Sequence, residues 1–142
     1  MARALWPAVK AISLDVTGTL LVHRQPIHET YAACALWAKL SDPPSASEFR
    51  PAFREAFRET SRAYPCFGHQ EELSSRDWWA LVVKKSLKLC GRSYEAADVE
   101  RFFRRLYQHY GTPQAYEALQ DAKPFLDWAR QQGLVLGAAQ PD

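Results

Sequence analysis

The sequence predicts a mixed α/β chain, mostly helical by content, in which two short strands bracket a long helical insertion. Three observations carry this reading. Residues 9–14 and 134–138 are apolar runs of strand length, rich in Val, Ile and Leu. Between them the apolar residues recur at helical rather than alternating spacing, in five segments. With 142 residues and 47% hydrophobic side chains, the chain can bury one core plus an insertion and little more.

The elements follow in chain order. Residues 9–14 contain Val9, Ile12 and Leu14 without strict polar alternation, the pattern of a strand buried on both faces of a parallel sheet. Residues 27–40 form a helix with Tyr31, Cys34, Ala35 and Ala38 on its apolar side. Ser41-Asp42-Pro43-Pro44 ends it, because proline disfavours helix in the residue before it and lacks an N–H of its own. The next helix starts at Ser45 or Ser47 and carries Phe49, Phe53 and Phe57 four apart, one aromatic stripe on one face. Tyr64-Pro65-Cys66-Phe67-Gly68 reads as a loop. A helix with a serine N-cap at Ser74 or Ser75 then runs through Trp78, Leu81, Val82, Lys85 and Leu89 to a stop at Gly91. Ser93 opens another, with Val99, Phe102, Phe103, Leu106 and Tyr110 as its buried stripe and Gly111-Thr112-Pro113 as its punctuation. The last helix, 123–132, presents Phe125, Leu126 and Ala129 and stops at Gly133, directly before the second strand.

Charge and cysteine usage narrow the function classes. A net charge of +2 argues against a nucleic-acid partner. Cys34, Cys66 and Cys90 show no metal-type spacing and leave one unpaired, which points to a reducing compartment. Pro7 and Lys10 break any signal-like apolar run at the start, and no segment approaches the roughly 20 apolar residues that span a bilayer. The expectation is an intracellular, cytoplasmic chain with no membrane partner. Arg50, Arg54, Arg58 and Arg62 form a row at spacing four, but Glu48, Glu55 and Glu59 lie within pairing reach, so the row reads as a solvated, salt-bridged face. Trp78 and Trp79 point about 100° apart around their helix, so one packs inward and the other sits at a helix contact or lines a cleft. His23, His28, His69 and His109 share no ligand spacing.

Chemistry concentrates at Asp15. Functional groups in open α/β sheets gather beyond the carboxyl ends of the strands, and Asp15 is the first charged side chain to emerge there. A carboxylate so placed can attack a phosphoryl or alkyl centre, provided that a cation offsets the repulsion of two anions. Mg2+ suits this, since it takes oxygen ligands from one or two carboxylates, with water and substrate phosphate. The Asp15 carboxylate and the Thr17 carbonyl are the candidate metal ligands. Arg24, just beyond the loop, is placed to meet a substrate anion. The same string also suits an Asx-type turn that ends a strand, with Gly18 supplying an unusual backbone angle.

Asp15-Val16-Thr17-Gly18-Thr19-Leu20-Leu21 resembles the first signature of the haloacid dehalogenase superfamily, an apolar strand ending in Asp-x-Asp-x-Thr/Val. The resemblance makes Asp15 the nucleophile, Thr19 the closing threonine, and the Val16 and Thr17 amides the phosphate-binding groups. It also implies a Rossmann-like core, here incomplete with about two parallel strands, formed by residues 1–24 and 111–142, with a helical cap domain inserted at 25–110. Phe49-Arg50-Pro51-Ala52-Phe53-Arg54-Glu55-Ala56-Phe57-Arg58, Tyr64-Pro65-Cys66-Phe67-Gly68 and Leu73-Ser74-Ser75-Arg76-Asp77-Trp78-Trp79 are similar to an animal subgroup of that superfamily.

The chain departs from the pattern in two respects. Thr17 stands where the phosphatases carry a second aspartate, the general acid, whose loss typically costs about 10²–10⁴-fold in rate. Threonine there also resembles the phosphorylation signature of P-type ATPases, whose aspartyl phosphate is long-lived. The resemblance further calls for a serine or threonine after the second core strand, a later lysine or arginine, and an acidic pair. Here Gln140 follows that strand and Asp142 is too weakly placed to serve as the acidic motif. The expectation is therefore a truncated or alternatively spliced form of a longer phosphatase-type hydrolase acting on a small phosphorylated or other small molecule. Its catalysis is impaired and its Mg2+ site incomplete. A non-catalytic helical protein–protein interaction module is the alternative, and exposed core strands would favour self-association in either case.

Overall fold

A computed structural model describes residues 9–139. They fall into two compact units, one formed by residues up to Arg24 and from Tyr116 onward, the other by Gln25–Ala115. Residues 111–115, which the sequence groups with the strands, cluster with the helices.

The strand-bearing unit holds β1 (Ala11–Leu14), β2 (Leu21–His23), β3 (Tyr116–Ala118), α6 (Ala122–Gln131) and β4 (Val135–Ala138). β1 and β4 pair in parallel, with Ile12 opposite Leu136 and Leu14 opposite Ala138. A parallel pair needs a crossover connection, and the whole helical unit and α6 lie within it in the sequence. The incomplete parallel core is thus present. The expectation of a strand buried on both faces is not met: Ala11 and Ser13 are exposed, while Ile12 and Leu14 are half-buried. The reason is that α6 packs against β4, and within the described residues β4 is the strand paired with β1. Nor are there only two strands. β2 and β3 form a second, antiparallel pair, with Leu21 opposite Ala118 and His23 opposite Tyr116. Each is three residues long, too short for any period to show in the sequence.

The helical unit contains α1 (Ile27–Trp37), α2 (Ala46–Ala63), a short turn α3 (Pro65–Gly68), α4 (Ser75–Leu89) and α5 (Ala96–Tyr110). Its core is aromatic. Tyr31 on α1 meets Phe49, Phe53 and Phe102 with ring centroids 5.4, 5.3 and 6.0 Å away, all edge-on, the arrangement that ring quadrupoles favour. A second cluster gathers Ala56, Trp78 and Val82 with Phe57, Phe67 and Trp79 against it. Trp78 is buried and its indole N–H donates to the Tyr64 carbonyl at 3.0 Å, whereas Trp79 is half-buried with its ring edge-on to Trp78.

Helix ends follow local chemistry. Ser45 caps α2 in a reciprocal box with Glu48, and Ser74 caps α4 by accepting from the Asp77 N–H at 3.1 Å. α1 stops at Trp37 rather than at residue 40 because Lys39 turns left-handed (φ 54°). The Lys39 N–H then bonds the Leu36 carbonyl and the Leu40 N–H bonds the Ala35 carbonyl, a Schellman ending built without glycine. α5 begins at Ala96, not at Ser93. Arg92 and Tyr94 reach across to the Asp42 carbonyl, and this holds the segment before α5 in non-helical form.

The exposed arginine row on α2 is only partly salt-bridged along its own helix. Arg58 pairs with Glu55, while Glu59 pairs with Lys85 of α4 and Glu48 with Arg92. The cysteines form no disulfide, with Cys34 buried, Cys90 half-buried and Cys66 exposed. No helix among the described residues is long and apolar enough to cross a membrane.

Candidate functional site

β1 delivers Asp15 at its carboxyl end, immediately after the last register pair with β4, where the Ala139 N–H closes onto the Leu14 carbonyl at 2.8 Å. The chain then winds into a tight loop. The Val16 carbonyl accepts from the N–H groups of Thr19, Leu20 and Leu21 at 3.3, 2.8 and 3.0 Å, and the Gly18 N–H donates to the Leu21 carbonyl at 2.7 Å. Gly18 sits at φ +84°, a left-handed conformation that a Cβ would penalise, so the backbone itself favours glycine here. The loop leads straight into β2, and the Leu119 N–H beyond β3 bonds the Leu20 carbonyl at 3.0 Å. The β2–β3 pair therefore braces the loop that carries Asp15.

The two carboxylate oxygens of Asp15 have different surroundings. Oδ2 accepts a hydrogen bond from the Thr19 hydroxyl at 2.9 Å. Oδ1 is buried and has no hydrogen-bond partner among the described residues. A buried carboxylate oxygen left without a donor is costly, and an incoming cation or donor group removes that cost. Val16 is half-buried, and its carbonyl is committed to the loop's own amides; Thr17 is exposed. Among the described residues no three His, Cys, Asp or Glu side chains gather as a metal centre. A cation here would rest on one carboxylate and on main-chain oxygen, a donor set of the hard, oxygen-only type that Mg2+ accepts. The orphaned Oδ1 and the oxygen chemistry of Asp15 and Thr17 fit that ion.

Of the residues singled out in the sequence, Asp15, Val16, Thr17 and Thr19 share one loop. Gln140 and Asp142 lie outside the described residues. Arg24 is turned to the neighbouring strand, where its guanidinium donates to the Tyr116 carbonyl at 3.1 Å. Sequence reasoning set His23 aside as a metal ligand and missed its contact with Tyr116, the rings packing 5.4 Å apart across the β2–β3 pair. Burial lowers the His23 imidazole from its ordinary pKa and raises the Tyr116 phenol. No local signal could have joined them, since so much of the chain lies between.

The chain is similar to known proteins over nearly its whole length. A family model for haloacid dehalogenase-like hydrolases matches residues 9–140. The chain is 34% identical over 128 residues to human haloacid dehalogenase-like hydrolase domain-containing protein 3, covering 90% of this chain and 50% of that protein. It is 32% identical over 127 residues to the protein of the same name from Xenopus laevis, covering 89% and 51%. Against the one from Xenopus tropicalis it is 31% identical over 129 residues, covering 91% and 67%. The chain spans about half the length of the first two relatives.

Proposed function

Because the chain belongs to the haloacid dehalogenase-like hydrolase family, matched over residues 9–140, we propose that Asp15 is the nucleophile of a phosphatase-type hydrolase working through an aspartyl intermediate. The observation that carries this is the asymmetry of its carboxylate, one oxygen held by Thr19 and the other buried and without a partner among the described residues, at the end of a parallel strand. One oxygen attacks phosphorus, and the Val16 and Thr17 amides bind the phosphoryl oxygens. The Asp15 carboxylate and Thr17 carbonyl hold Mg2+, which when bound supplies the positive charge that lets carboxylate and phosphate approach. The substrate is a small phosphorylated molecule, met in the cytoplasm. Since Thr17 offers no carboxylic acid, turnover by this chain is slow.

Thermal unfolding with Mg2+ and beryllofluoride, a mimic of a phosphoryl group on aspartate, tests the assignment without requiring turnover. Ligands that bind only the native state raise the midpoint, by an amount set by mass action. An upward shift in the unaltered chain that disappears in Asp15→Asn supports the nucleophile. An equal shift in both, or none in either, overturns it.

A second reading rests on a different observation. Val135 is 67% exposed, and Ala11, Ser13 and Gly137 on the same strand pair are exposed with it. This bare face and the strand edges, unpaired among the described residues, suit association with another copy or with a partner, the non-catalytic interaction role.

A further inference from the structure

Between α5 and the end of α1 the helical unit holds a cavity of about 490 Å³, its wall formed by Trp37, Glu100, Arg101, Arg104, Arg105 and Gln108. A volume of this size suits a small organic ligand better than a flat protein surface. The α5 residues recur at spacings of three and four, so one face of the helix supplies them all. Its three arginines are not equally engaged. Arg101 is committed, with Nε donating to the Ala38 carbonyl at 2.8 Å and a terminal nitrogen to Asp98 at 2.7 Å. Glu100 is drawn to Arg76 and stands 3.7 Å from Arg104, beyond hydrogen-bond reach. Arg105 lies over the Trp37 ring, 4.9 Å from its centroid, and meets the Cys34 thiol, contacts that leave its charge uncancelled. Trp37 nevertheless keeps 55% of its surface open. An open indole beside two available guanidinium groups adds little to the core.

We propose that this cavity binds a nucleoside polyphosphate, with the base against the open surface of Trp37 and the phosphates on Arg104 and Arg105. A guanidinium is a planar fork of N–H donors that meets phosphate oxygens in pairs, and it gives up water more readily than an ammonium. Stacking on an aromatic ring accepts any base, so the class of ligand follows and the identity of the base does not. Gln108, on the same wall, brings an amide that can both donate to and accept from a ring edge. An acidic protein segment is the competing occupant. It would answer the arginines but would leave the flat indole without a matching ring. Every residue the proposal uses belongs to the helical unit, so it stands apart from the reading of Asp15 as nucleophile.

The 142-residue chain is titrated by isothermal calorimetry, with EDTA present, against ATP, tripolyphosphate, adenosine and a hexaglutamate peptide. ATP is expected to bind, tripolyphosphate to bind about 5–100-fold more weakly for want of a stacked base, and adenosine at least about tenfold more weakly for want of phosphates. An Arg104→Ala, Arg105→Ala double variant is expected to weaken ATP by at least about tenfold. Trp37→Ala should bring ATP to the level of tripolyphosphate, and Asp15→Asn should leave ATP binding in place. The replaced cavity side chains are exposed, so circular dichroism should show each variant folded. No ATP binding at millimolar concentration, or equal binding by the parent and the double arginine variant, overturns the site. Tripolyphosphate or hexaglutamate bound as tightly as ATP overturns the nucleotide, the peptide result in favour of an acidic protein segment. ATP binding that disappears in Asp15→Asn and survives loss of the arginines belongs to the strand-end loop, which overturns the proposal and leaves the reading of Asp15 standing.

Discussion

Thr19 is four residues from Asp15, yet the loop brings its hydroxyl onto Oδ2 at 2.9 Å. A hydrogen bond to a charged group contributes roughly 1.5–3 kcal/mol, and here it also fixes which oxygen faces the buried side. In Thr19→Val both oxygens lack a side-chain donor and the carboxylate is free to rotate. The rate at which acetyl phosphate phosphorylates the chain, followed by intact-protein mass spectrometry, is expected to fall by about 10–100-fold, while Thr19→Ser retains it. Equal rates in the valine and serine variants would remove Thr19 as a positioning residue. At this scale the sequence was legible where chemistry is local: Asp15, Thr17 and Thr19 lie in one short string. The His23–Tyr116 contact and the turn of Arg24 onto β3 were not legible, because they depend on a strand pairing closed across the whole helical unit.

At the scale of elements, α3 stores backbone strain. Cys66 and Phe67 are left-handed (φ 50° and 55°) and Gly68 follows at φ +76°. A Cβ on Gly68 would stand 2.6 Å from Leu73 Cδ1 and 2.8 Å from its Cβ, so Gly68→Ala combines a conformational penalty with an overlap against a packed side chain. The expected loss is about 2–4 kcal/mol by denaturant unfolding, against little change for Gly91→Ala beyond its own backbone cost, where the space is open. Capping and pairing carry a pH dependence. The Ser45 backbone N–H, then its hydroxyl, hold the Glu48 carboxyl below its usual range, and the Lys85 ammonium does the same for Glu59. A carboxyl depressed in the folded state contributes stability above its unfolded pKa, about 4.3, and loses it as pH falls through the lower folded value. The melting temperature should therefore be flat near neutrality and decline below about pH 4, less steeply in a Glu48→Gln, Glu59→Gln double variant. The long helices were legible because many residues vote on one period. Their ends were legible at Ser45, Ser74, Gly91 and Gly133, but not at Lys39, where a lysine takes the left-handed position usually given to glycine.

For the whole molecule the decisive fact is a parallel strand pair covered on one side. Ile12, Leu14 and Leu136 are half-buried on one face of the pleat, while Ala11, Ser13, Val135 and Gly137 are exposed on the other. Composition could announce two apolar strands but not how many neighbours would cover them, so a run that reads as buried on both faces is dressed on only one. The residues of the bare face within the strands are small except for Val135, which is 67% exposed against 38% for Val9 just before β1, so Val135 is the larger apolar contact here. Exposed strand edges beside such a contact template pairing with another chain, and a lysine on the exposed face is a common natural remedy. We expect the chain to form dimers or larger species at tens of micromolar in sedimentation velocity, and Val135→Lys to shift it toward monomer without lowering its melting temperature, because the side chain already lies in solvent. If the unaltered chain sediments as a monomer across that range, the face is not an association surface. A lysine variant that associates as strongly as the parent would place the contact elsewhere, with Leu36 and Trp37 at the end of α1, 66% and 55% exposed, the next apolar pair to alter.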